Sequence, residues 1–149
     1  MAQLSTPWDG ILLTHFIVSR DVDRSRRFYT EVLGGETVFH GDSSKGEPSI
    51  VALADGWITI NVGGGPTADK PTVTLDTPTD PHHVSSFLNI RVADIQRAYR
   101  EWSARGAEFL TEPIDRGVEI RCYMRDPDGH LIEVGQVTAA FVTSEPSAP

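Results

Sequence analysis

Apolar and polar positions change period along the chain, and each change marks an element. The run "ILLTHFIVS" (11–19) is rich in aliphatics and predicts a strand ending before Asp21. "DVDRSRRFYTEVLGG" (21–35) switches to helical spacing. There Val22, Tyr29, Val32 and Leu33, with small Ser25 between them, form one apolar stripe. Asp21 is suited to the N-cap and Gly34-Gly35 to the stop. "ETVFH" (36–40) predicts a short strand and "GDSSKGEP" (41–48) a polar loop. "SIVALA" (49–54) and "WITINV" (57–62) predict a hairpin around Asp55-Gly56.

Residues 63–85 break the pattern. "GGGPTADKPT" and "TPTDPHH" cannot continue a strand, and only "VTL" (73–75) between them could form a short one. The order of elements then repeats. "SFLNIRV" (86–92) predicts a strand, and "DIQRAYREWSARG" (94–106) a helix capped by Asp94 with an Ile95, Ala98, Tyr99, Trp102 stripe. "AEFLTEP" (107–113) predicts a strand, "DRG" (115–117) a turn, and "VEIRCYM" (118–124) and "HLIEVGQ" (130–136) a hairpin around Asp126-Pro127-Asp128-Gly129. Asp21 and Asp94 lie 73 positions apart, and the same offset carries Val22, Ser25 and Tyr29 onto Ile95, Ala98 and Trp102. The chain therefore divides into two βαβββ modules, 11–62 and 86–136, within one domain spanning 1–149. A linker (63–85) joins them and a flexible tail (137–149) follows. The fold class is α+β, with one helix to cover each sheet.

Composition narrows the function. A net charge of −8 opposes nucleic-acid binding and anionic membranes, and no apolar run approaches a membrane span. The single cysteine, Cys122, excludes an intrachain disulfide framework and suits a reducing cytoplasm. No secretory signal pattern opens the sequence.

Three stretches, "THFIVSRDVDRSRRFYTEVLGG", "VADIQRAYREWSARGAEF" and "YMRDPDGHLIEV", resemble the vicinal oxygen chelate superfamily. That group includes glyoxalase I, extradiol dioxygenases, fosfomycin-resistance enzymes and bleomycin-binding resistance proteins. With the repeat, the resemblance covers 11–136. It implies tandem βαβββ modules whose curved mixed sheets form a cup with the helices outside. It also implies frequent homodimerisation. In metal-using members the strand after "DPDG" supplies a glutamate to a divalent metal, and Glu133 matches that position.

The other ligand positions fit less well. His15 is the first-strand candidate, but it stands six residues before Asp21 where the family count is seven, which lands on Thr14. Either the link is one residue shorter, with His15 facing the cup and Phe16 and Val18 facing the helix, or Thr14 holds the position and His15 faces the helix. The same count back from Asp94 lands on Phe87, which cannot bind a metal, and "ITIN" (58–61) has no acid. A catalytic metal site takes about three protein ligands. Glu133 is therefore either a ligand to Mn²⁺, Ni²⁺, Zn²⁺, Fe²⁺ or Mg²⁺ together with His15, or an acid paired with Arg91 or Arg121.

Alternation directs Phe87, Asn89 and Arg91 to the cup, and puts Arg121 and Tyr123 on one face opposite Cys122 and Met124. The two arginines offer forked donors to an anion, and Trp57, Phe87 and Tyr123 offer aromatic walls, with Asn61 beside them. No catalytic residue is assigned. The leading expectation is a small aromatic or anionic metabolite bound in the cup without a complete metal site. The alternative is a divalent-metal-dependent lyase, isomerase or dioxygenase acting on vicinal oxygens.

Overall fold

The computed structural model describes residues 10–138. Of the expected tail, residues 139–149 lie outside this range. The chain clusters into two units. Unit 1 holds the residues up to Thr79 together with the turn residues Pro127–Gly129, and unit 2 holds Asp80–Asp126 and the residues from His130 onward.

Unit 1 contains β1 (Thr14–Val18), α1 (Val22–Arg27), β2 (Glu36–His40), β3 (Ser49–Leu53) and β4 (Gly56–Asn61), in a four-stranded mixed sheet of order β1-β4-β3-β2. β1 runs parallel to β4, and the other pairs are antiparallel. The Asp21 side chain accepts from the N–H of Arg24 and caps α1 as its residue type predicts. The helix widens into a π turn over Phe28–Val32, and the Thr30 hydroxyl donates to the Arg26 carbonyl at 3.0 Å. This turn buries Phe28 as well as the expected Tyr29 and Val32. The β3–β4 turn consists of Ala54 and Asp55, one residue earlier than the Asp55-Gly56 pair suggested. Ala54 takes the left-handed φ of +52° there.

Unit 2 contains β5 (Leu88–Arg91), α2 (Ile95–Ala104), β6 (Glu108–Phe109), β7 (Ile114–Asp115), β8 (Glu119–Arg125) and β9 (Leu131–Val137). The sheet order is β5-β9-β8-β6, with β7 also paired to β8. β5 runs parallel to β9, again as in unit 1. The strand expected over 107–113 shortens to two residues, and β7 appears after Pro113. The short strand that 73–75 could form is a single bridge, Gly64 to Leu75.

The repeat is visible in burial. Val22, Ser25 and Tyr29 in unit 1 and Ile95, Ala98 and Trp102 in unit 2 are all buried. Each helix therefore covers one face of its own sheet with the stripe its spacing marks out. A fully buried aliphatic or aromatic side chain of this kind contributes about 1.5–3 kcal/mol. What each helix leaves uncovered is the opposite face of its sheet.

Candidate functional site

Alternation along β9 settles which side chains meet. Ile132, Val134 and Gln136 point towards α2, where Gln136 Oε1 accepts from the N–H of Ile95 at 2.8 Å. Cys122, Met124, Ile132 and Val134 are buried on that side. Burial alone pushes the Cys122 thiol up to about 11, which keeps it protonated and unreactive.

The face away from α2 carries three rows set by strand register. Asn89, Glu133 and Tyr123 form the first, Arg91, Gly135 and Arg121 the second, and Val137 and Glu119 the third. Glu133 is 4% exposed, so its carboxylate is costly unless satisfied. Both oxygens are satisfied by protein groups. Asn89 Nδ2 donates to Oε1 at 2.8 Å, and the Tyr123 hydroxyl donates to Oε2 at 2.6 Å. Arg91 Nη2 lies 3.6 Å from Oε1 as a nearby cation. The Glu133 bond and charge raise the Tyr123 hydroxyl above the usual tyrosine range, because ionising it would break that bond and set two anions together.

Arg91 is held on its other side by Glu119, with Nη1 donating to Oε2 at 2.7 Å. Arg121 Nη1 donates to the other oxygen of the same carboxylate at 3.0 Å. The hydrogen bond from Arg91 is the main cause that lowers Glu119 below the usual glutamate range. Gly135 makes room for this arrangement. It lies between the two arginines in register, and a Cβ there would overlap Nη1 of Arg91. Beside the first row, the Phe87 ring meets Tyr123 edge-on, with centroids 5.9 Å apart, and remains 40% exposed. Neither Glu119 nor Gly135 stood out in the sequence. The Glu119-Arg121-Tyr123 alternation was the available signal.

The other expected site residues belong to unit 1. Trp57 and Asn61 lie on the sheet face away from α1, and Asn61 Nδ2 donates to the Gly46 carbonyl at 3.3 Å. Of the two orientations open to His15, the one that faces the helix is the one taken. In parallel register His15 stands beside Ile58, and so shares the face of Ile17, Ile58 and Ile60, all three buried. That face is the α1 side, since His40 on the Ser49–Ile60–Ile17 row bonds Asp23 of α1. Thr14, Phe16 and Val18 take the opposite face instead. β1 is apolar on both faces, so its own alternation could not decide this. The pairing with β4 does.

A divalent metal at Glu133 can be tested against this arrangement. The metal would have to share the carboxylate with the Asn89 and Tyr123 donors, leaving one lone pair on each oxygen. It would also sit beside the Arg91 guanidinium, and at roughly 4 Å that repulsion is about 4 kcal/mol per unit of metal charge. Among the described residues, no group of three or more His, Cys, Asp or Glu is arranged to hold a metal. As arranged, these residues do not fit a metal at Glu133. What the face offers is ring contact and forked hydrogen bonding.

A family model described as the Glyoxalase/Bleomycin resistance protein/Dioxygenase superfamily matches residues 12–134. The chain belongs to this superfamily. The superfamily member is 28% identical over 129 residues to virulence protein STM3117 of Salmonella typhimurium, a match covering 83% of each chain. Its fold is similar to that of TioX from Micromonospora sp. ML1, with a TM-score of 0.67 at 19% identity, over 87% of this chain and 100% of TioX. It is also similar to that of TnmS3, an antibiotic binding protein from Streptomyces sp. CB03234. There the TM-score is 0.62 at 18% identity, over 87% of this chain and 97% of TnmS3. At such identities the structural likeness establishes the α+β fold alone. Among the described residues, no helix is long and apolar enough to cross a membrane.

Proposed function

We propose that this superfamily member binds a small aromatic or anionic metabolite on the face of its second sheet away from α2, without a resident metal. The observation that carries the reading is Glu133. Its buried carboxylate already has a protein donor on each oxygen and a guanidinium alongside. The exposed Phe87 ring beside Tyr123 supplies an aromatic contact, and Arg91 and Arg121 supply donors. The antibiotic-binding description of TnmS3 supports a binding role for the scaffold. The test is a screen of aromatic and anionic compounds by NMR on protein with labelled Phe and Tyr rings. The reading expects binders that shift the Phe87 and Tyr123 resonances. Binders that leave both rings unperturbed would overturn it.

A homodimer and a cytoplasmic location belong to the same reading. The first unit exposes Phe16 and Phe39 on the sheet face away from α1, an apolar surface suited to burial by a second copy. Light scattering should give the mass of two chains, and a monomer at all concentrations would refute the dimer. The lone, buried Cys122 suits a reducing compartment, which cell fractionation checks directly.

A further inference from the structure

The Glu119 carboxylate is held as a bound ligand's carboxylate would be. Each oxygen has its own arginine, Arg91 at 2.7 Å and Arg121 at 3.0 Å. No side chain intervenes, because the residue between the two arginines is Gly135. Resting on the binding reading above, we infer that Glu119 is an internal occupant of a carboxylate site built by Arg91 and Arg121. The ligand is an aromatic acid whose carboxylate takes the place of Glu119.

Three further observations fit this assignment. Among the described residues Glu119 is the only hydrogen-bond or ion-pair partner of the Arg121 side chain, so the rest of that guanidinium keeps its donors for a ligand. Glu119 is the first residue of β8, flanked by Val118 at 58% exposure and opposite Val137 at 37%. Swinging out therefore takes its charge into water rather than into the core. Finally, Tyr123 follows Arg121 by two residues on the same face, a rise of about 7 Å. Its ring, edge-on to that of Phe87, lies on the same face of the sheet as the arginine pair, where the ring of an aryl acid held by its carboxylate could meet it.

In the protein as it stands, a ligand carboxylate competes with a tethered one. Removing the Glu119 charge should release both forks. The experiment is calorimetric titration of wild type, Glu119→Gln and Glu119→Gln/Arg121→Gln with phenylacetate and with its neutral counterpart, phenylacetamide. Circular dichroism confirms the fold of each variant. Losing one charge-assisted competitor corresponds to about tenfold tighter phenylacetate binding by Glu119→Gln. The amide should change by less than about twofold, and the double variant should lose the gain. Amide binding without any phenylacetate gain in Glu119→Gln overturns this inference and leaves the binding reading standing. A gain that survives in the double variant also overturns it, since Arg121 would then have no part. If neither probe binds any of the three proteins, the inference falls, and the ring-labelled NMR screen decides the binding reading separately.

Discussion

Tyr123→Phe removes one hydroxyl and keeps the ring against Phe87, so it isolates the bond to Glu133. That bond is 2.6 Å long and its acceptor is 4% exposed. A hydrogen bond to a charged group contributes about 1.5–3 kcal/mol, and more when its loss strands a buried acceptor. Two features place this case at the low end. Asn89 still donates to the other oxygen, and Tyr123 is only half-buried, so water can reach the vacated donor position. The expected loss is about 1.5 kcal/mol, or roughly 5 °C in Tm for a chain of this length. The assay is urea denaturation at neutral pH, comparing midpoints with the slope unchanged. Repeating it in a Glu133→Gln background closes a double-mutant cycle, in which the coupling should be about 1 kcal/mol. A loss below about 0.5 kcal/mol, or the same loss in both backgrounds, would mean that Tyr123 is not a donor to Glu133 and refute the reasoning.

Three other predictions test the same face. Gly135→Ala should push the Arg91 guanidinium off Glu119 and cost about 1 kcal/mol, an amount not added to by Arg91→Ala because both remove the same contacts; additive losses in urea melts would contradict this. Glu119, lowered in the folded state by Arg91, contributes stability that is present above its ordinary value of 4.5 and is lost as pH falls through its lower folded value. Glu119→Gln should flatten the fall in stability over that acid range, and an unchanged slope would remove the Arg91–Glu119 pair as its source. Tyr123, raised by Glu133, works in the opposite sense: its contribution holds below its ordinary value of 10.0 and fades as pH rises through the folded value, so Tyr123→Phe should resist alkaline unfolding more than wild type does relative to neutral pH.

Much of this arrangement was legible in the sequence, for physical reasons that differ from place to place. The helices announced themselves through N-cap aspartates and apolar stripes, and the 73-residue offset linked positions that are buried in both units. The face of Arg121 and Tyr123 could be read because β8 alternates cleanly with the buried Cys122 and Met124. His15 could not be oriented the same way, because aliphatic residues occupy both faces of β1 and only the parallel pairing to β4 separates them. β7 is two residues long, too short for any periodicity, and the strand expected before Pro113 shrank accordingly. The state of Glu133 was open between a metal and an arginine. It depends on register across three strands, which brings Asn89 and Tyr123 to either side of it, and no local pattern encodes that. The roles of Glu119 and Gly135 were hidden for the same reason.

Asn89 and Tyr123 each donate to one oxygen of Glu133, where a metal-using relative would place a cation. The most direct test is metal content: purify the chain without an affinity tag or chelator and quantify bound transition metals by elemental mass spectrometry. Titration with Mn²⁺, Ni²⁺, Zn²⁺ and Fe²⁺ by calorimetry completes it. No stoichiometric metal and no saturable binding are expected. A stoichiometric metal that is lost in Glu133→Gln would contradict this, and would mean that the Asn89, Tyr123 and Arg91 contacts yield to a cation.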